Sequence, residues 1–279
     1  MTATPRTWLI TGGSSGLGRA VATAALEAGD TVVSADRHPA RFADLADAHP
    51  GRGSATFLDV TDIGGVPAVV AETVERHGRI DVLVNAAGRG LIGAAEETGD
   101  AELRDLMDLH FFGPAELSRA VLPHMRAQGS GTIVQISSMG GRMSFAGVPA
   151  YSATKFALEG WSEALAREVE TFGIRVLIVE PGAFRTGFAA GGTLRRSTPI
   201  PAYAPIVEPV WQANLDSHGG QPGDPAKAAA ALLAVLEADR PPLRLPLGND
   251  ATDAILANLD DTRQDVLAWE KLSRSTDFA

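Results

Sequence analysis

Cysteine is absent from this 279-residue sequence, so disulfides, thiolate metal sites and a cysteine nucleophile are all excluded. Positive charge is also short. The 24 Lys and Arg stand against 34 Asp and Glu, a formal charge of −10, and no basic run marks a nucleic-acid footprint. Long apolar runs are missing too: the longest, Ala228 to Leu236, is half of the roughly 18 residues that suggest a membrane span. No apolar segment precedes the first glycines as a secretion signal requires, so a cytoplasmic protein is expected, with no membrane or nucleic-acid partner. Histidines at 38, 49, 77, 124 and 218 are scattered without metal-ligand spacing, and no metal is expected.

What remains is a globular composition, 45% hydrophobic and 21% charged, at a length that suits one large domain. The first 180 residues alternate short apolar runs with helical patterns. Strands are expected at Trp8–Ile10, Thr31–Ser34, Ala55–Leu58, Val82–Val84, Thr132–Ile136 and Arg175–Val179, with helices at Leu17–Ala28, Val66–His77, Glu102–Met125 and Tyr151–Phe172. Nearly continuous apolar strands in β–α–β order predict a doubly wound parallel α/β sheet of about seven strands with helices on both faces. Beyond Val179 the texture changes, since residues 181–250 hold ten of the seventeen prolines. A helix is expected at Asp224–Ala238, with Asp224 as N-cap and Pro225 at the first position, and a last strand at Leu243–Leu245. Residues 1–249 then form one catalytic domain, in which 187–223 is an unstructured lid, and 250–279 form a C-terminal helical extension.

Two constellations carry chemistry. Thr11-Gly12-Gly13-Ser14-Ser15-Gly16-Leu17-Gly18 follows the first strand and opens the first helix, where glycine lets backbone approach a pyrophosphate. Asp36 ends the second strand at the distance expected of a ribose-binding carboxylate. Asp59-Val60 and Asn85-Ala86-Ala87-Gly88 end the third and fourth strands on the same carboxyl edge. A dinucleotide, NAD or NADP, is the expected cofactor. Asp36 repels a 2′-phosphate and favours NAD, whereas Arg37 beside it offers that phosphate a partner. In the second constellation, Tyr151 and Lys155 lie one helical turn apart, so an ammonium can favour the phenolate and make Tyr151 an acid–base group. Ser138 ends the fifth strand, where its hydroxyl can meet a carbonyl or alkoxide, or merely cap the chain.

Together TGGSSGLG, NAAG, the Ser138–Tyr151–Lys155 spacing and Pro181-Gly182 with Thr186 resemble the classical short-chain dehydrogenase/reductase family, in its hydroxysteroid-dehydrogenase-like branch. The resemblance spans about residues 5–187. It implies a Rossmann-type fold and hydride transfer between nicotinamide and an alcohol or carbonyl carbon. Tyr151 would exchange the hydroxyl proton, Ser138 would orient the carbonyl, and Lys155 would bind the nicotinamide ribose. Thr186 and the backbone of Pro181–Ala183 would hold the carboxamide. It also implies a homodimer or homotetramer built on Glu102–Met125 and Tyr151–Phe172. One position departs from the pattern: His110 stands where the family usually has an asparagine that leads protons from the lysine to solvent. His110 is expected either to substitute in that relay or to be satisfied within its helix pair.

By the same resemblance the cleft would be lined by Met139, Met143, Phe145, Phe184 and Phe188, with Leu194, Ile200, Tyr203, Ile206 and Trp211 from the lid, favouring an apolar small alcohol or carbonyl compound. Arg195-Arg196 could meet an anionic substrate or lie solvated. The competing function is a non-catalytic dinucleotide-binding regulator, which would need no Ser–Tyr–Lys group. An epimerase or dehydratase fits the glycine spacing less well.

Overall fold

The computed structural model describes residues 4–189 and 193–278. Strand β1 (Thr7–Thr11) leads into helix α1 (Gly16–Glu27), followed by β2 (Thr31–Asp36), α2 (Ala43–Ala48), β3 (Gly53–Phe57), α3 (Val66–His77), β4 (Val82–Asn85) and a short β5 (Gly90–Ile92). Helix α4 (Asp100–Met107) continues through a π-helical turn (Asp108–Phe112) into α5 (Gly113–Gln128). Then come β6 (Gly131–Ile136), α6 (Pro149–Val169), β7 (Ile174–Pro181), a short β8 (Leu194–Arg196), α7 (Ala204–Asp216), α8 (Pro225–Leu236), β9 (Arg244–Leu247) and α9 (Asn249–Arg274).

Seven strands pair in the order β3-β2-β1-β4-β6-β7-β9, all parallel. The order reverses between β1 and β4. That topological switch point is where open α/β sheets bind ligands outside their carboxyl ends. The inner strands β1, β4, β6 and β7 are largely apolar because both faces are covered, whereas the edge strands β3 and β9 are only partly buried. Leu9, Leu83, Ile133 and Val176 pack under α3, α5 and α6, through Val66, Val121 and Leu165 among others. Trp8, Ile10, Val82, Val84 and Val134 face the other way, onto α1 and α8 through Val21, Leu26 and Leu232. Alternate residues of one strand thus serve two cores.

Local chemistry sets the element ends. The Asp224 carboxylate accepts from the Ala226 and Lys227 amides at 2.8 and 3.4 Å and caps α8, with Pro225 at its first position as expected. The expected single helix 102–125 is instead interrupted. Pro114 has no N–H to give the His110 carbonyl, and Gly113 bonds back five residues to the Asp108 carbonyl, which widens one turn.

The expected last strand shifts to Arg244–Leu247. The segment 187–223 is not the structureless lid expected. It contains β8, paired with β5 in a small second sheet, and the whole of α7, while 190–192 lie outside the described residues. Val207 of α7 is fully buried, and Leu194, Tyr203, Val210 and Trp211 pack with Ile92 and Val148, so most of these side chains join a small core.

Candidate active site

The glycine-rich turn is shaped by what surrounds it. Gly12 has φ +67°, and a Cβ there would sit 3.0 Å from the Ala87 backbone. Gly16 has φ +55°, and a Cβ on Gly18 would lie 2.5 Å from the Gly12 carbonyl oxygen. The first and third of these glycines therefore pack backbone on backbone, leaving the amide end of α1 open to a phosphate. The Thr11 hydroxyl receives the Ala86 and Ala87 amides at 3.1 and 3.3 Å, tying the end of β1 to the end of β4 across the switch point. Ser14, buried, donates to Asp36 Oδ2 at 2.6 Å, and the His38 amide donates to Asp36 Oδ1 at 2.8 Å. Asp36 is thereby fixed beside the loop, and Arg37 next to it is exposed. Ser15 is exposed at the N-cap of α1.

Other expected residues are placed differently from one another. Burial pushes the Asp59 carboxyl up, but the Thr61 amide and hydroxyl, at 3.0 and 2.8 Å, outweigh it and hold it below the ordinary range. Val60 is buried, its carbonyl facing Gly113. Asn85 turns inward: its Nδ2 donates to Gln135 Oε1 at 2.9 Å in a buried network with Ser118. Its side chain therefore braces β4 against β6, and the carboxyl edge is left to Ala86, Ala87 and Gly88. Gln135, a lone amide in an otherwise apolar strand, was the sequence signal for this brace. Thr186 stands near Gly16, where a Cβ would lie 3.8 Å from the Thr186 Cβ, so the segment after β7 faces the glycine loop. Pro181 ends β7. A Cβ on Gly182 would collide with the Asp250 carboxylate, and Asp250 accepts the Ala183 amide at 2.7 Å. Asp250, on the first turn of α9, is a positioning residue that the sequence reading passed over.

Ser138, Tyr151 and Lys155 come together where β6 meets α6. The Ser138 hydroxyl accepts the Gly140 amide at 3.0 Å, capping a short 3₁₀ turn, and also acts on the Tyr151 phenol. Burial pushes that phenol above its ordinary pKa, with Ser138 opposing the shift. Lys155 Nζ donates to the Ile136 carbonyl at 2.9 Å and lies 5.9 Å from the Tyr151 ring centroid. Burial lowers the Lys155 pKa to about 8. In the chain by itself burial sets the direction of the shift at both groups, up for the phenol and down for the amine.

His110 is 1% exposed in the π-turn. Its Nε2 accepts the Arg89 amide at 3.2 Å, and its Nδ1 lies 2.9 Å from Thr154 Oγ1, whose own proton goes to the Tyr151 carbonyl at 2.8 Å. These partners require the neutral Nδ1–H tautomer, and burial, then the Lys155 and Arg89 charges, hold the ring well below its ordinary pKa. Gly88 is small because a Cβ would sit 3.2 Å from His110 Nε2.

Over Tyr151 stands Phe188, edge-to-face at 6.3 Å between centroids, with Gly90 beneath it. Arg195 and Arg196 are both paired, with Asp105 at 3.5 Å and Glu208 at 2.5 Å, and Arg196 also lies over Trp211. Among the described residues no acidic or histidine cluster could hold a metal, and no helix is long and apolar enough to cross a membrane.

A family model described as short chain dehydrogenase matches residues 6–194. The chain belongs to that family. This short-chain dehydrogenase is an oxidoreductase, and its relatives carry names in keeping with that. An oxidoreductase of Botryotinia fuckeliana is 38% identical over 88% of this chain and 90% of its own length. A 3-ketodihydrosphingosine reductase of Bacteroides thetaiotaomicron is 36% identical over 88% of each. The crystal structure of a short-chain dehydrogenase from Streptomyces avermitilis superposes with a TM-score of 0.93 at 54% identity, covering 99% of this chain and 100% of the other.

Proposed function

We propose that this short-chain dehydrogenase transfers a hydride between a nicotinamide dinucleotide and a secondary alcohol/ketone or aldehyde of an apolar small molecule. The observation that carries the reading is the meeting of Ser138, Tyr151 and Lys155 at one strand end, on the carboxyl edge that also carries the close-packed glycine turn. The cofactor fits this chain at Gly12, Ser14, Ser15, Gly16, Leu17 and Gly18 for the pyrophosphate and at Asp36 for the adenosine ribose. Asp59, Val60, Ala86 and Gly88 would line the cofactor site along the strand ends, and Pro181, Gly182 and Thr186 would hold the carboxamide. When bound, it supplies or accepts the hydride.

The rest is done by the chain. Ser138 donates to the substrate oxygen, which gains negative charge as a carbonyl is reduced. Tyr151 gives that oxygen its proton, or takes it in the reverse direction. Lys155 stabilises the phenolate that results and holds the ribose. Asp36, its carboxylate held in place by Ser14 and the His38 amide, favours NAD over NADP because its negative charge repels a 2′-phosphate. Phe188 over Tyr151, with exposed Phe145 nearby in sequence to Ser138, favours an apolar substrate, as does the relative named 3-ketodihydrosphingosine reductase.

A redox screen of alcohols and carbonyls with NAD(H) and NADP(H), followed at the nicotinamide absorbance, tests the reading. Turnover with apolar ketones or their alcohols is the expected result. Cofactor binding without turnover across the panel would favour a non-catalytic binding protein.

A further inference from the structure

Four buried polar side chains follow one face of α6 at the three–four spacing that stacks residues along a helix: Ser152, Lys155, Glu159 and Ser162. Each is at most 6% exposed. Of their polar atoms, Ser152 Oγ, Glu159 Oε1 and Ser162 Oγ have no hydrogen-bond partner among the described residues, and neither do Ser137 Oγ and Glu180 Oε2. Ser137 Oγ and Glu159 Oε1 converge on Gly141, at 2.7 and 3.3 Å from where its Cβ would be. Ser137 directly follows Ile136, whose carbonyl holds Lys155 Nζ. The glycine thus leaves a narrow polar seam between the lysine's partner and the carboxylate one turn further on. Unpartnered oxygens in such a seam are the ordinary setting of buried water.

The charges around Lys155 resolve in one way. Tyr151 and Glu159 share its helix, His110 and Arg89 face it from the π-turn and the β4–β5 connection, and Glu180, Arg142 and Arg244 lie beyond Glu159. His110 is neutral. Glu180 is pushed up by burial and then by Glu159, with Arg142 and Arg244 beside it opposing the shift. Arg142 pairs with Glu180 at 3.1 Å, and Arg244 with Glu159 Oε2 and Glu163 at 2.9 and 2.8 Å. Glu159 is the carboxylate one turn beyond Lys155 on the same helix, and its charge opposes the burial that lowers the Lys155 pKa.

We propose that Glu159 is the positioning residue for the proton on Lys155. Its carboxylate keeps the ammonium charged, and the seam between them reaches solvent at a cavity of about 280 Å³ lined by Arg142, Phe156, Glu159, Glu163 and Arg244. In this chain the lysine's proton is governed from that side of α6, and not from His110, both of whose nitrogens are already engaged. The inference deepens the Tyr151–Lys155 reading and rests on it.

Its test needs no substrate. The chain has only three lysines, Lys155, Lys227 and Lys271, so the side-chain carbons of isotopically labelled lysine can be followed by NMR through a pH titration. Loss of one signal in Lys155→Arg assigns it. Glu159→Gln is expected to lower the Lys155 midpoint by about one pH unit or more. Glu159→Asp, which keeps the charge, restores most of it. Glu163→Gln removes the other carboxylate on Arg244 and leaves the midpoint in place. An unmoved midpoint in Glu159→Gln, or an equal drop in Glu163→Gln, overturns the proposal. Failure of the redox screen would strike the hydride-transfer reading and leave this titration standing.

Discussion

Thr154 Oγ1 and His110 Nδ1 are 2.9 Å apart, joining the π-turn to the residue immediately before Lys155. The threonine passes its own proton to the Tyr151 carbonyl, so the first turn of α6 is latched through the hydroxyl to a ring that must stay neutral.

That latch predicts a dependence of stability on acid. An unfolded histidine takes a proton near pH 6.5, and His110 in the folded chain does so only well below that. Its contribution is therefore fully present above about pH 6.5 and is lost as pH falls from there toward the folded value. The slope is about 1.4 kcal/mol per pH unit. Denaturant melts of wild type and His110→Asn between pH 7 and 5 should diverge, with the mutant flatter. The same substitution is expected to leave the pH profile of turnover unchanged, and a shifted profile would return a relay role to the histidine.

Tyr151→Phe removes the proton donor and keeps the ring that packs against His110 and Phe188. Hydride transfer should fall by about 100-fold or more while cofactor affinity changes little. Single-turnover kinetics and calorimetric cofactor binding check the two halves separately. Full activity in the variant would sink the acid–base assignment.

Arg37 is exposed beside Asp36, and its charge acts on the nearby Asp59 carboxylate. NADH is expected to bind more tightly than NADPH in wild type, and Arg37→Ala to leave NADH affinity unchanged. Fluorescence titration with both nucleotides measures this. Tighter NADPH binding that disappears in the variant would reverse the preference.

Gly18→Ala brings a methyl to 2.5 Å from the Gly12 carbonyl, a backbone atom that cannot move aside. The glycine turn must open, at about 1–3 kcal/mol of overpacking. Thermal melting should show the loss of stability, and dinucleotide should no longer raise the melting temperature.

The parallel sheet was legible because its inner strands are apolar on both faces, as at Trp8–Ile10, and their carboxyl ends carry turn chemistry. The nearness of Ser138, Tyr151 and Lys155 was legible for a related reason: they are placed by strand end and helix period, both of which leave a trace in spacing. The second half of the chain hid its order. The short partners β5 and β8 meet across a hundred residues, and α7 carries a proline at 209, so neither shows a clean period. The electrostatics were the least legible. Spacing placed Lys155 one turn from Tyr151, but only the structure shows that burial depresses the amine and raises the phenol together. For the same reason nothing in the sequence pattern singles out Glu159, one more turn along.

The outer edge of the sheet has a consequence of its own. The carbonyls of Leu243 and Leu247 receive amides from β7, so Arg244 and Pro246, lying between and beside them, turn their backbone away from the sheet. One of those two outward positions is a proline, with no N–H to offer. A strand from another molecule arriving at β9 would find a broken ladder and a charged guanidinium already claimed by α6. Seven strands is thus a stopping point rather than a template on this side, which protects a long, flat, apolar sheet from growing by edge addition.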